Sequence, residues 1–201
     1  MNTLSRRFAF AIAPLALLSM SGCGVNSVPT AEEAAKNAFA NYQAALQRRA
    51  DLLPNLNATV KGAASHEKEI QLGVATARGA ANAAGAATLT AADLTDEAKV
   101  KAFQAAQAAA SAAMLSVRNT VEAYPDIKAN ENFRDLSTQI ESTENRINIA
   151  LRDYNAAVQS YNTRIRTFPD AIGAKIFYGA KPMIPFAASA PNPTKPPEVK
   201  F

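Results

Sequence analysis

From Ala35 to Val74, the side chains able to face a common core recur at steps of four and three residues without a break. They are Ala35, Phe39, Tyr42, Leu46, Arg49, Leu53, Leu56, Val60, Ala63, Glu67, Ile70 and Val74. A repeat averaging 3.5 residues keeps one stripe of a helix turned toward a neighbour over many turns, so a run this long demands helices packed side by side. Thr30, with Glu33 three residues on, reads as a capping box that starts the helix. Pro54 falls inside, yet Leu53, Leu56 and Val60 keep the phase across it. This predicts a kink rather than a turn, because proline removes one backbone bond and crowds the turn before it.

A second segment, from about Ala92 to Tyr124, steps in the same way through Val100, Phe103, Gln107, Ala110, Met114, Val117 and Val121 before Pro125 ends it. A third, from about Asn130 to Phe168, runs through Phe133, Leu136, Ile140, Thr143, Ile147, Ala150, Tyr154, Ala157, Tyr161 and Phe168. Leu151, Val158 and Ile165 widen its apolar stripe, which suits a globular bundle better than a two-stranded coil. Residues 79–90, rich in Gly and Ala, read as the loop between the first two helices. A short amphipathic stretch follows Phe168-Pro169, and from Pro182 onward the clustered prolines predict an extended tail. The fold class is therefore all-α: an elongated antiparallel bundle of three long helices, the first kinked, plus a short C-terminal helix. Its division is a leader over 1–22, a linker over 23–29, the bundle over 30–180 and the tail over 181–201.

The leader rests on the start of the chain. Arg6 and Arg7 precede an apolar run from Phe8 to Leu18, and Ser21-Gly22-Cys23 follows. A basic start, a short apolar segment and small residues at a cleavage point make a secretory signal, too short to span a membrane. Cysteine directly after Ser-Gly is the pattern of bacterial lipoprotein signals. Cys23, the chain's one cysteine, has no partner for a disulfide and is the expected lipid acceptor. Gly24, in place of an aspartate, implies sorting to the outer membrane in an organism that has two. Losing Arg6 and Arg7 lowers the formal charge from +4 to roughly +2, and no basic block with interleaved aromatics occurs, so nucleic-acid binding is excluded.

Catalytic constellations are scarce. His66 is the one histidine, which excludes a zinc site built on His and Cys and a di-iron Glu-x-x-His pair on two helices. No phosphate-cradling glycine loop precedes a Lys-Ser/Thr. The sequence therefore calls for no metal and no cofactor, and reads as non-enzymatic.

Two seam positions of the first segment are charged, and a charge at a core position costs several kcal/mol unless it is paired or stays wet. Either Arg49 and Glu67 snorkel to the edge of the seam, or they fix helix register, or they serve a partner. With antiparallel neighbours, Glu67 comes level with Arg152, and Arg49 lies near Glu122 and Glu131. Tyr154-Asn155 and Tyr161-Asn162 recur seven residues apart, the tyrosines on the seam and the asparagines beside it. They read as core tyrosines with polar partners and register-setting asparagines, or as a groove for a partner helix. Val199 and Phe201 alternate as a strand would, and either pack on the bundle or add to a partner's sheet edge.

From Arg48-Arg49-Ala50-Asp51-Leu52-Leu53-Pro54-Asn55-Leu56 onward, the chain resembles the LemA family. Further matching pieces are 60–67, Glu122-Ala123-Tyr124-Pro125-Asp126-Ile127-Lys128-Ala129, the run 144–158, Tyr161-Asn162, Phe168-Pro169 and Pro197-Glu198-Val199-Lys200-Phe201. The resemblance implies an elongated antiparallel bundle, often described as four helices, on the outer side of the cytoplasmic membrane or in the periplasm, with no established enzymatic activity. It also implies links to envelope stress and to membrane-embedded zinc proteases of the HtpX type. It marks Asp51, Pro54, Asn55, Tyr154, Asn155, Tyr161 and Asn162 as interaction candidates. Many members carry an N-terminal membrane helix where this chain has Cys23. The expected role is a lipid-anchored envelope adaptor for a membrane or periplasmic partner; the alternative is a self-assembling structural protein.

Overall fold

The structure, a computed structural model, describes residues 26–63, 68–125 and 130–187. The leader, Cys23, Gly24, His66, Glu67 and the tail from residue 188 on lie outside the described residues. Helix α1 runs over Ser27–Ala63 with Pro54 inside it. It begins earlier than the expected capping box, so Ser27, Val28 and Pro29 are helical rather than linker. Pro29 is tolerated because an amide in the first turn has no helical acceptor. The Thr30 hydroxyl donates to the Asn26 carbonyl at 2.7 Å, and Glu33 pairs with Lys36 instead of closing a box.

The first long helix is not a single kinked rod. A separate helix, α2, covers Lys68–Ala86 and runs back along α1: Leu46 and Ala50 line one hollow with Ala81, Ala84 and Gly85. The Gln43 amide donates to the Leu89 carbonyl at 2.8 Å beyond it. Most of the expected Gly/Ala loop is thus helical. Alanine is the best helix former, and Ala77, Ala81 and Ala84 turn one small, buried face inward while Gly79 and Gly85 face out. The connection shrinks to residues 87–90 and a 3₁₀ turn, Ala91–Thr95, anchored by fully buried Leu94.

Helix α3, Glu97–Glu122, starts at Asp96, whose carboxylate accepts from the amides of Ala98 and Lys99. Helix α4, Glu131–Arg164, starts at Asn130, whose side chain accepts from the Phe133 amide. It stops before Phe168, which is 82% exposed rather than on the seam. Helix α5 is short, Asp170–Ile176. Gly179, at φ 54°, then takes the left-handed conformation that turns the chain back, and residues 181–187 lie extended.

The four principal helices form an up-down-up-down bundle, with α1 packed most closely along α4 and α2 along α3. At about 1.5 Å per residue, the 37 residues of α1 make the body roughly 55 Å long. Its interior holds two apolar clusters. One surrounds Phe39, Tyr42, Phe103, Tyr154 and Phe186; the other surrounds Leu56, Ile70, Val74, Val117, Val121, Phe133 and Leu136.

Candidate functional site

Between the two clusters the seam turns polar. Arg49 is only 4% exposed, and Gln107 and Thr143 are buried with it. One Arg49 nitrogen donates to the Ser111 hydroxyl at 2.7 Å and the other to Gln107 Oε1. The Gln107 amide in turn donates to the Ala84 carbonyl at 3.1 Å. Glu144 Oε1 lies 3.5 Å from Arg49 Nη1. It is buried, and among the described residues it has no hydrogen-bond partner. One guanidinium thus ties α1 to α3, through Gln107 to α2, and by charge to α4. A register that broke these contacts would leave a buried charge unpaired, which costs about 3–5 kcal/mol. Beside this layer, burial pushes the Tyr42 hydroxyl up to about 12, with Arg49 opposing and Glu144 adding to the shift.

Toward the far end of α4 the Tyr-Asn repeat finds its partner, which is the chain's own extended segment. Asn162 forms two bonds with the backbone of Met183, accepting from its N–H at 2.9 Å and donating to its carbonyl at 2.8 Å. Asn155 does the same with Phe186, both at 2.8 Å. Tyr161 donates to the Lys181 carbonyl at 3.1 Å and Tyr154 to the Ile184 carbonyl at 2.9 Å. The spacing follows from geometry. Seven helical residues advance about 10.5 Å, and three extended residues advance about 9–10 Å. One heptad of α4 therefore matches one triplet of strap, Lys181-Pro182-Met183 and then Ile184-Pro185-Phe186. Each proline is exposed and has no N–H to satisfy, and it holds the backbone extended. The third side chain of each triplet is buried, and Phe186 meets four rings: Tyr154 at 4.5 Å, Tyr42 at 5.6 Å, Phe103 at 5.9 Å and Phe39 at 6.1 Å. The Ile184 N–H donates to the Leu94 carbonyl at 2.9 Å and the Ala187 N–H to Gln104 Oε1 at 3.2 Å. Burial raises the Tyr154 and Tyr161 hydroxyls above the ordinary phenol value.

The strap fills the space between α3 and α4 at one end of the bundle. Further along, those helices flank an open groove of about 490 Å³. Leu56, Met114, Val117, Phe133, Ile140 and Ile147 form its apolar lining, and Ser111, Glu144, Asn145 and Asn148 its polar part. Arg118 and Glu141 reach across it at 3.0 Å.

Of the residues singled out from sequence, Arg49 is buried rather than snorkelling, and its carboxylate neighbour is Glu144. Glu131 is exposed in the first turn of α4, and the Glu122 side chain is outside the described residues. The Glu67–Arg152 alignment assumed one continuous first helix. In the fold, Ile70 in the first turn of α2 shares a cluster with Phe133 and Leu136, and Arg152 lies about 24 Å beyond Leu136 along α4. Arg152 is exposed and donates to the Asn148 carbonyl. Asp51, Pro54 and Asn55 lie exposed on α1, with Asp51 accepting from the Gln47 amide at 2.8 Å. Tyr154, Asn155, Tyr161 and Asn162 hold the strap, so they are not a groove for a partner helix. Glu144 sits one position off the seam at Thr143, and with Glu141 on the same helical face it reads from sequence as part of a solvated surface. The polar Arg49, Gln107 and Thr143 at seam positions were the signal for its layer.

These features define a class: an up-and-down four-helix bundle closed along one side by an extended C-terminal strap. The LemA family pattern matches residues 38–201, and the chain belongs to the LemA family. Over 47 residues it is also similar, at 40% identity, to Protein LemA of Metamycoplasma hominis. That stretch is 23% of this chain and 22% of the relative, so the alignment spans less than a quarter of the relative's length.

Proposed function

We propose that this LemA-family chain is a non-enzymatic, lipid-anchored protein of the cell envelope, facing the periplasm, whose bundle docks another envelope protein in the groove between α3 and α4. The groove carries the reading. It offers an apolar floor for side chains of a partner segment, with the exposed amides of Asn145 and Asn148 in its polar lining. Among the described residues no helix is long and apolar enough to cross a membrane. In this reading the attachment is a lipid on Cys23, supported by the Ser21-Gly22-Cys23 pattern behind the apolar run. Outer-membrane sorting follows from Gly24. Membrane-embedded proteases are one partner class that the family resemblance suggests. No three His, Cys, Asp or Glu side chains among the described residues are placed to hold a metal, and the reading uses none.

A photoreactive amino acid at Ile140 tests the docking surface in intact cells. A discrete adduct with one envelope protein, lost when the probe moves to exposed Leu72 on α2, supports it; identical adduct patterns at both positions refute it. Cys23→Ser tests the anchor, since the acyl mass and membrane fractionation should both disappear. Light scattering on the purified chain separates adaptor from structural polymer: a monomer across concentrations supports the first, and concentration-dependent growth the second.

A further inference from the structure

Eight large apolar side chains are exposed among the described residues, and five of them lie within eleven residues of chain: Phe168, Ile172, Ile176, Phe177 and Tyr178. Scattered exposed apolar residues need no explanation, but a cluster does. Ile172 and Ile176 are four residues apart on α5 and so share its outer face, and Phe168 is exposed in the turn just before it. Gly173 and Ala174 pack inward against the bundle. Phe168, Ile176 and Phe177 are 69–82% exposed, more open than any packing against the bundle allows.

The place of this patch suggests what covers it. The Ser27 hydroxyl donates to Asp170 Oδ2 at 2.6 Å, so α5 sits beside the start of α1. Cys23 is four residues upstream, within a reach of about 14 Å. The charge around the patch is basic. Arg166, Lys175 and Lys181 are exposed, and none forms an ion pair with a described residue; Arg164 and Asp170 face each other at 3.6 Å. Exposed aromatic and aliphatic side chains with basic ones close by in the chain, on a short amphipathic element, match the chemistry of a bilayer interface with anionic headgroups.

We infer that the outer face of α5, with Phe177 and Tyr178, is a foot that enters the headgroup region of an anionic lipid membrane and sets the bundle upright on it. The inference rests on the anchored reading only for how the bundle reaches the surface. The foot binds lipid through its own side chains.

The chain contains no tryptophan, so Phe177→Trp, at an exposed site, supplies a single fluorescent reporter. Leu72→Trp is the control on α2, toward the opposite end of the bundle. The full chain with its native N-terminus is reconstituted into phosphatidylglycerol/phosphatidylcholine vesicles with brominated acyl chains, and flotation records membrane attachment separately. Blue-shifted emission and at least twofold quenching at position 177, with neither at position 72, is the expected result. Attached protein with no quenching at 177 overturns the foot while leaving the anchor standing. Should flotation fail, the anchor reading is lost. The foot is then read from quenching as vesicles are titrated onto the Phe177→Trp chain, and its absence there overturns the foot. In that titration, Ile176→Asp combined with Lys175→Glu should weaken binding on the order of tenfold or more; unchanged binding also overturns it.

Discussion

Replacing Phe186 with alanine should cost the bundle about as much as removing a residue from the middle of its core, although Phe186 belongs to the strap. The ring is 3% exposed and meets Phe39, Tyr42, Phe103 and Tyr154, which come from α1, α3 and α4. Phe→Ala in a packed interior costs about 3–5 kcal/mol. With a urea slope of about 2 kcal/mol per molar, the midpoint followed by circular dichroism at 222 nm should fall by about 2 M. Asn162→Ala, which removes two backbone bonds to Met183, should cost about 1–3 kcal/mol at 0.5–1.5 per bond. The two changes act on one docked segment. Once the strap has lifted, the second change has less to lose, so the double variant should fall short of the sum by about 1 kcal/mol or more. A midpoint within 0.3 M of the parent for Phe186→Ala would refute the strap as part of the core. Strict additivity would refute its docking as one unit.

Arg49→Ala should destabilise by about 3–5 kcal/mol in the same assay, because it strands Gln107, Ser111 and Glu144 together; Arg49→Met with Glu144→Leu should recover most of that loss. Asp96→Ala removes the cap of α3 and should cost about 1 kcal/mol by the same melts. Burial raises the phenol pKa of Tyr42, Tyr154 and Tyr161 in the folded state. The stability linked to them is therefore complete below about pH 10 and is lost as pH rises further, when the unfolded chain sheds protons that the folded chain retains. Absorbance titration at 295 nm should show these tyrosines ionising late and together with unfolding; smooth ionisation of all tyrosines near pH 10 in a folded protein would contradict this. The Asp93 carboxyl, held down to about 2 mainly by Lys99 and also by Thr90, should titrate there by carbon-detected NMR and rise in Lys99→Ala while staying below the ordinary carboxylate range, because both Thr90 bonds remain.

The seam was legible because core-facing positions obey a period, and Phe39, Tyr42, Leu46, Arg49, Leu53 and Leu56 are all buried. The reversal of direction from α1 to α2 was not. Leu56 and Ile70 lie two heptads apart, so the phase survives a break, and periodicity reports which side chains face inward rather than whether the backbone continues. The Gly/Ala stretch misled for a related reason: small residues signal a loop by composition, yet Ala77, Ala81 and Ala84 are what let α2 approach α3 closely. In the candidate site, the Tyr-Asn repeat could be seen on α4, but its complement could not. The matching rhythm on the strap is three residues long, lies about twenty to thirty positions downstream, and is carried by backbone groups that every sequence possesses. The groove arises from how far α3 and α4 stand apart, which no single segment encodes.

The strap also has a consequence for how the molecule comes into being. Everything it seals emerges from the ribosome first, so the nascent protein must wait with Phe39, Tyr42 and Phe103 uncovered until Phe186 arrives. That interval is when a chaperone would hold it, and when a chain cut short just before residue 181 would be handed to degradation rather than to assembly.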